Sequence, residues 1–285
     1  MHERDALPVL TPEQVAAATD PAAAVALLAT LGAPKRTSYS ALAAYDACPY
    51  RYVLRFLLRI PGPPVAAFSF GSAAHGAFQR FTAARREAAT AGTPMPGRAD
   101  LDRFLEEAWA TVTFPDPASE AQYRERVAPL MDAFWRMESA QPASAIAEER
   151  WFNLRLEPAD GSAPVVVGGS IDRIDRLPSG AVEVIDYKTG RIESQESVDT
   201  NLQLSIYALA CRDATGFGRP EKVTLWFAEH GERRSTARTD AELDGARATI
   251  LDRVAAIRRG ELLATPSEAT CRWCDAREYC PSAIR

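Results

Sequence analysis

The sequence lacks any apolar run near the ~20 residues that a membrane-spanning helix needs. Its first residues, Met1-His-Glu-Arg-Asp, contain no apolar signal core. No membrane partner is expected, and the expected compartment is the cytoplasm. There is no G-x4-G-K-[ST] phosphate loop, so the chain carries no helicase motor. Internal repeats are missing, and the only biased tract is an alanine-rich N-terminus. Excess positive charge is also missing: the formal net charge is −5. That excludes a uniformly basic surface for nucleic acid, although only the local field at a binding face decides. Histidine is scarce, with three residues, and cysteine is limited to five.

What is present is enough for a core. The 285 residues are 47% hydrophobic, which supports one large domain or two modest ones. Residues 1–36 read as a lead-in or linker broken by Pro8, Pro12, Pro21 and Pro34, with a helix start at Thr11-Pro-Glu-Gln. Residues 37–285 read as a single domain in three parts. From 37 to 145 the pattern is helical: a segment opening at Ser38 and interrupted by Pro49, a helix from Gly71 to about Arg86, and two more over Leu101–Thr111 and Glu120–Glu138. From 146 to 260 strands dominate. Glu148–Leu156 and Val165–Arg176 are strand-like, and Pro178-Ser-Gly180 turns the chain into Val182–Lys188. A helix over Leu202–Cys211, strands over Glu221–Ala228 and Arg233–Ala237, and a helix over Glu242–Arg259 follow. The tail, 261–285, is loop carrying cysteines.

The chemistry concentrates in Gly169-Ser-Ile-Asp172-Arg-Ile-Asp175 and Glu183-Val-Ile-Asp186-Tyr-Lys188-Thr-Gly190. Asp186 and Lys188 share strand parity and therefore one face. Two carboxylates from neighbouring strands beside an ammonium suit metal-assisted attack of water on a phosphodiester. The ordinary alternative is a solvated hairpin with a cross-strand ion pair. Against it stand Ile171, Ile174, Val184 and Ile185, which make both strands look buried where unpaired carboxylates are costly. Gln203 and Tyr207 share a helix face at i, i+4 and extend the same site, or simply make a half-buried helix. His75 sits among small residues on an apolar helix, where a core role competes with a ligand role. Cys271, Cys274 and Cys280 form C-x2-C-x5-C, and Cys48 would complete a four-thiolate site. Zinc prefers two paired knuckles, and uneven spacing fits an iron–sulfur cluster better. A disulfide or free thiols are the plainer alternative. Cys211 looks like a buried small hydrophobe.

Taken in order, Ser40-Ala-Leu-Ala-Ala-Tyr-Asp-Ala-Cys-Pro-Tyr-Arg-Tyr, Phe70-Gly-Ser-Ala-Ala-His-Gly, Gly169-Ser-Ile-Asp-Arg-Ile-Asp, Ile185-Asp-Tyr-Lys-Thr-Gly, the pair Gln203 and Tyr207, and Cys271-Arg-Trp-Cys-Asp-Ala-Arg-Glu-Tyr-Cys-Pro resemble the RecB-like branch of the PD-(D/E)xK nuclease superfamily. The iron–sulfur subset of that branch includes AddB-type nucleases and CRISPR-associated RecB-like exonucleases. The resemblance implies an α/β fold with a mixed sheet flanked by helices. It implies a Mg²⁺- or Mn²⁺-dependent exonuclease acting on DNA in repair, recombination or end processing. His75, Asp172, Asp186 and the Tyr187 carbonyl would hold the metal. Lys188 would orient the attacking water, Gln203 and Tyr207 would support the site, and Glu149 would be a supporting partner. Cys48, Cys271, Cys274 and Cys280 would hold a [4Fe–4S] cluster, closing a loop of over 200 residues worth roughly 5 kcal/mol on the chain-entropy model.

DNA would pass a helical arch between His75 and Glu149, with Arg80, Arg85, Arg86, Arg124 and Arg126 contacting phosphates. Each of these is otherwise a solvated helix residue. Single-stranded DNA is the favoured substrate, because a narrow channel with stacking aromatics suits it. The stretch from Leu54 to Gly71 resembles nuclease domains fused behind UvrD-like helicases, so a helicase partner or a longer chain stays open. The competing expectations are an inactive iron–sulfur DNA-binding module and a zinc-stabilised interaction protein.

Overall fold

The structure, a computed structural model, describes residues 34–60, 62–142 and 144–284, together with Ala23 and Ala26. The helix start expected at Thr11 lies outside the described residues. In chain order the elements begin with β1 (Arg36–Thr37), α1 (Tyr39–Ala47), α2 (Pro49–Tyr52), α3 (Ala66–Ala91), α4 (Arg98–Trp109) and α5 (Pro117–Ser139). They continue with β2 (Ala145–Leu156), β3 (Val165–Arg176), β4 (Val182–Lys188), α6 (Gln195–Asp199), α7 (Leu202–Asp213), β5 (Lys222–Phe227), β6 (Glu232–Thr236), α8 (Asp240–Arg258) and α9 (Glu268–Arg272). No helix among the described residues is long and apolar enough to cross a membrane.

The chain divides into two compact units. The first comprises Met1–Pro63, Arg155–Gly168 and Arg247–Arg285. Ser38 caps α1 by accepting a hydrogen bond from the Ala41 amide at 3.2 Å, and Pro49 opens α2 at the first turn, where its missing N–H costs nothing. A wider π turn, Val53–Leu57, continues α2. The apolar centre joins Tyr50, Val53, Leu54 and Leu57 to Ile257, Leu262 and Ala276. The tail is pinned by Asp275, which takes the Arg51 guanidinium at 3.0 Å and that of Arg55 at 2.8 Å. β1 pairs in parallel with the start of β3, Arg36 opposite Val166.

The second unit comprises Pro64–Leu154 and Gly169–Ala246. Its strands form a mixed sheet in the order β3-β4-β5-β6, with β2 also pairing to β3. β3 and β4 are antiparallel, β4 and β5 parallel, and β5 and β6 antiparallel. The parallel pair needs a crossover, and α7 lies within it. The β3–β4 turn is closed by Gly180 at φ 86°, a conformation that only glycine adopts freely. Every residue of β4 except Lys188 is buried, as befits a central strand covered on both faces. Helices α3, α4 and α5 cover the sheet through Phe70, Phe78, Phe81, Leu101, Phe134 and Trp226. The α/β class and the mixed sheet flanked by helices are as the sequence implied. Helix α3 is longer than expected. Pro63-Pro64 and Val65 set its start at Ala66, and it runs through Gly71 and Gly76 without interruption.

Candidate active site

All of the expected catalytic side chains lie in the second unit. Asp186 and Lys188 project from one face of β4 toward α7. Lys188 Nζ donates to Gln203 Oε1 at 2.9 Å, and Gln203 Nε2 donates to Asp186 Oδ1 at 3.2 Å and to Tyr207 OH at 2.9 Å. Tyr207 OH donates to Asp186 Oδ1 at 3.2 Å. Gln203 and Tyr207 thus brace one carboxylate oxygen and the ammonium together. The other oxygen, Asp186 Oδ2, lies 2.6 Å from Lys188 Nζ as an ion pair, but it is buried and takes no hydrogen bond of sound geometry.

The start of α7 is itself held in place. The Asn201 side chain caps it by accepting from the Leu204 amide at 3.1 Å. The buried Arg238 guanidinium donates to the Val198 and Asn201 carbonyls at 3.1 and 3.2 Å and to Ser205 Oγ at 2.8 Å. Burial pulls the pKa of Arg238 down. Neither Asn201 nor Arg238 is visible as a site residue in the sequence, because both act on the backbone and on Ser205 around the start of α7 rather than on Gln203 itself.

On the neighbouring strand Asp172 is buried. Its Oδ2 accepts from the Tyr187 amide at 2.8 Å and lies 3.4 Å from His75 Nδ1. His75 comes from α3. Glu149 comes from β2 and accepts a hydrogen bond from Ser170 Oγ at 2.9 Å. One ligand atom each from His75, Glu149 and Asp172 lie within 4.8 Å of one another. The compact group therefore holds Glu149, which the sequence marked only as a supporting partner, where Asp186 was the expected ligand. Glu149 has φ 44°, left-handed backbone that is uncommon for a residue with a side chain and characteristic of functional sites. Tyr187 turns its phenol away into the core, where it accepts from Arg173 at 3.2 Å.

Electrostatics follow from this crowding. Burial, then the Asp186 and Glu149 charges, hold the Asp172 carboxyl well above the usual carboxylate range, against the opposing Tyr187 N–H and Lys188. Burial pulls the His75 imidazole down, leaving it neutral with a lone pair to offer. Three buried or half-buried carboxylates face one ammonium. The donor set of carboxylate oxygens and one imidazole fits a hard divalent cation.

A sequence model of the PD-(D/E)XK nuclease superfamily matches residues 36–281. The chain belongs to the PD-(D/E)XK nuclease superfamily. Enzymes of this superfamily typically use divalent metals, in keeping with the His75–Glu149–Asp172 group. A solved structure described as "Crystal structure of SSO0001" is similar at 16% identity over 74% of this chain and 86% of that chain, with a TM-score of 0.37. Comparison with curated proteins finds no match.

In this PD-(D/E)XK chain the five arginines expected at phosphates are all engaged by the protein. Arg80 pairs with Glu107 at 2.7 Å, Arg124 with Glu106 at 2.6 Å and Arg126 with Glu229 at 2.9 Å. Arg86 forks onto Glu148, its Nη2 donating at 3.0 Å. Arg85 is buried and donates to the Gln141 carbonyl at 2.6 Å, which places it out of reach of a solvent-borne phosphate. The four cysteines expected at a cluster lie in the first unit. Cys48, Cys271, Cys274 and Cys280 line one cavity with Arg51 and Leu54. All four thiols are free, and among the described residues no three sulfurs lie within 4.8 Å of one another. Burial pushes the Cys48 thiol up, but N–H groups led by Thr265 outweigh it and its pKa is lowered. Cys211 is buried apart from them, its thiol pushed up to about 11 by that burial.

Proposed function

We propose that this protein is a metal-dependent DNA exonuclease acting on single-stranded DNA, and that a [4Fe–4S] cluster on Cys48, Cys271, Cys274 and Cys280 seals its first unit. The observation that carries the nuclease reading is the convergence of His75, Glu149 and Asp172 beside the braced Asp186–Lys188 pair. His75, Glu149, Asp172 and Asp186 would hold Mg²⁺ or Mn²⁺. When bound, the cation lowers the pKa of water and stabilises charge on the phosphoryl oxygens. Lys188, held at 2.9 Å by Gln203, stands where its ammonium orients the attacking water and offsets developing negative charge. Gln203 and Tyr207 fix the Asp186 carboxylate in one orientation. Neutral His75 contributes a nitrogen donor without adding charge. Four cysteine sulfurs in one cavity, once deprotonated, are the soft donor set that iron–sulfur clusters take.

The test is cleavage of end-labelled single-stranded DNA with Mg²⁺ or Mn²⁺, comparing free with blocked ends. Lys188→Ala and Asp186→Ala should each lower kcat about 100-fold or more. Wild-type rates in both variants would sink the proposed site. Equal cleavage of substrates blocked at both ends would sink the exonuclease assignment.

A further inference from the structure

Large exposed aromatic side chains are few in the second unit. Among its described residues they are Phe68, 71% exposed, and Trp151, 54% exposed. Single exposed apolar residues need no explanation on their own. What sets these two apart is where the chain puts them. Phe68 lies on α3, seven residues before His75. Seven residues are almost two helical turns, so Phe68 and His75 share one stripe, about 10 Å apart along the axis. Gly71 stands between them on that stripe and presents no side chain. Trp151 lies on β2, two residues after Glu149, with its Cα at most about 7 Å from that of Glu149. Each element that supplies a member of the metal group from outside the β3–β4 hairpin thus carries one exposed aromatic close to it.

The backbone at Glu149 accounts for Trp151. Regular strand alternation would expose only one of Arg150 and Trp151. The left-handed residue at 149 breaks the alternation, and both are exposed before Phe152 turns back into the core. Arg150 is engaged, donating to the Thr215 carbonyl at 3.3 Å with its guanidinium 5.8 Å from the Phe217 ring centre. Among the described residues Trp151 has no ring partner of that kind.

We propose that Phe68 and Trp151 are base-stacking residues that seat the unpaired nucleotides on either side of the scissile phosphate. The proposal rests on the nuclease reading and adds the residues that select its substrate. Every nucleobase offers a π face, so stacking is indifferent to sequence. In a duplex those faces are taken by neighbouring bases, and the two side chains have nothing to stack on. With Arg80, Arg85 and Arg86 on α3 and Arg150 on β2 all engaged by the protein itself, apolar stacking is the recognition chemistry these two elements add beside the site.

The experiment uses the full chain and one short fluorescein-labelled oligonucleotide, with natural bases or with abasic residues flanking the cleaved bond. Kd is read by anisotropy in Ca²⁺, and KM and kcat by cleavage in Mn²⁺. Phe68→Ala and Trp151→Ala should each raise Kd and KM about 5- to 150-fold, the loss falling on KM more than on kcat. The double variant should lose the preference for natural over abasic DNA, and Phe68→Trp and Trp151→Phe should restore it. A double variant that keeps the wild-type preference overturns the proposal, whether or not its cleavage rate changes. Wild-type protein that binds with a base preference lost in the double variant, yet cleaves nothing, supports the stacking role while removing the nuclease reading.

Discussion

Asp172 carries the electrostatic cost of the site. Its carboxyl is held above the ordinary range of about 3.9 by burial and by two neighbouring acids. A folded-state pKa above the unfolded value means that the folded, metal-free protein binds the proton more tightly. The associated stability is present below the ordinary carboxylate range and is lost as pH rises through the raised value. Asp172→Asn should therefore raise the melting temperature of metal-free protein at neutral pH, since the amide keeps an acceptor for the Tyr187 N–H. Mn²⁺ should raise the melting temperature of the wild type and leave the variant unmoved. Melts across pH with and without Mn²⁺ check this, and a metal-free variant less stable than the wild type counts against it. Lys188 was readable at this scale. The sequence contains three lysines, Lys35, Lys188 and Lys222, within 33 basic residues. A compact ammonium in a chain that otherwise uses arginine marks a specific demand. Glu149 was not readable as a member of the metal group. Its position depends on a left-handed backbone that no local sequence signal requires.

At the scale of elements, the β3–β4 hairpin was legible to the residue. Its strands are apolar enough to be buried, and Pro178-Ser-Gly180 punctuates them. The start of α3 was not legible, because Gly71 resembles a helix boundary when the packing around it is unknown. Buried charges were equally opaque. Arg173, beside Asp172, looks like a surface residue in sequence, yet it is buried against Asp175 at 2.5 Å, Glu138 and Tyr187. Gly169 fits the hairpin to β2, since a Cβ there would lie 2.8 Å from Phe152 Cζ. Gly169→Ala should cost about 1–3 kcal/mol by overpacking. It should also weaken metal binding, because Asp172 and the Ser170 that holds Glu149 follow on the same strand. Denaturant unfolding together with Mn²⁺ titration tests both effects, and wild-type stability would show that Phe152 swings aside freely.

At the scale of the whole molecule, the side chains of the candidate active site occupy one unit and the four cavity cysteines the other. Cys48 and the three tail cysteines line one cavity, but spacing alone does not say what that cavity holds. Protein purified without oxygen should be brown with broad visible absorbance, and Cys48→Ser should bleach it and lower the melting temperature. Colourless protein containing one zinc would replace the cluster by a zinc site. The first unit draws on three separate stretches of chain, and its tail contacts join residues as far apart as Arg51 and Asp275. The second unit draws on no stretch of chain beyond Ala246. A ribosome delivers the chain from the N-terminus, and domains fold as their residues emerge. The carboxylates of the candidate site are thus synthesised before the tail that residues 34–60 pack against. The tail acts as a clasp in time, and a chain that stops before Cys271 leaves α1 and α2 without the residues around Asp275 and Ala276 that they pack against.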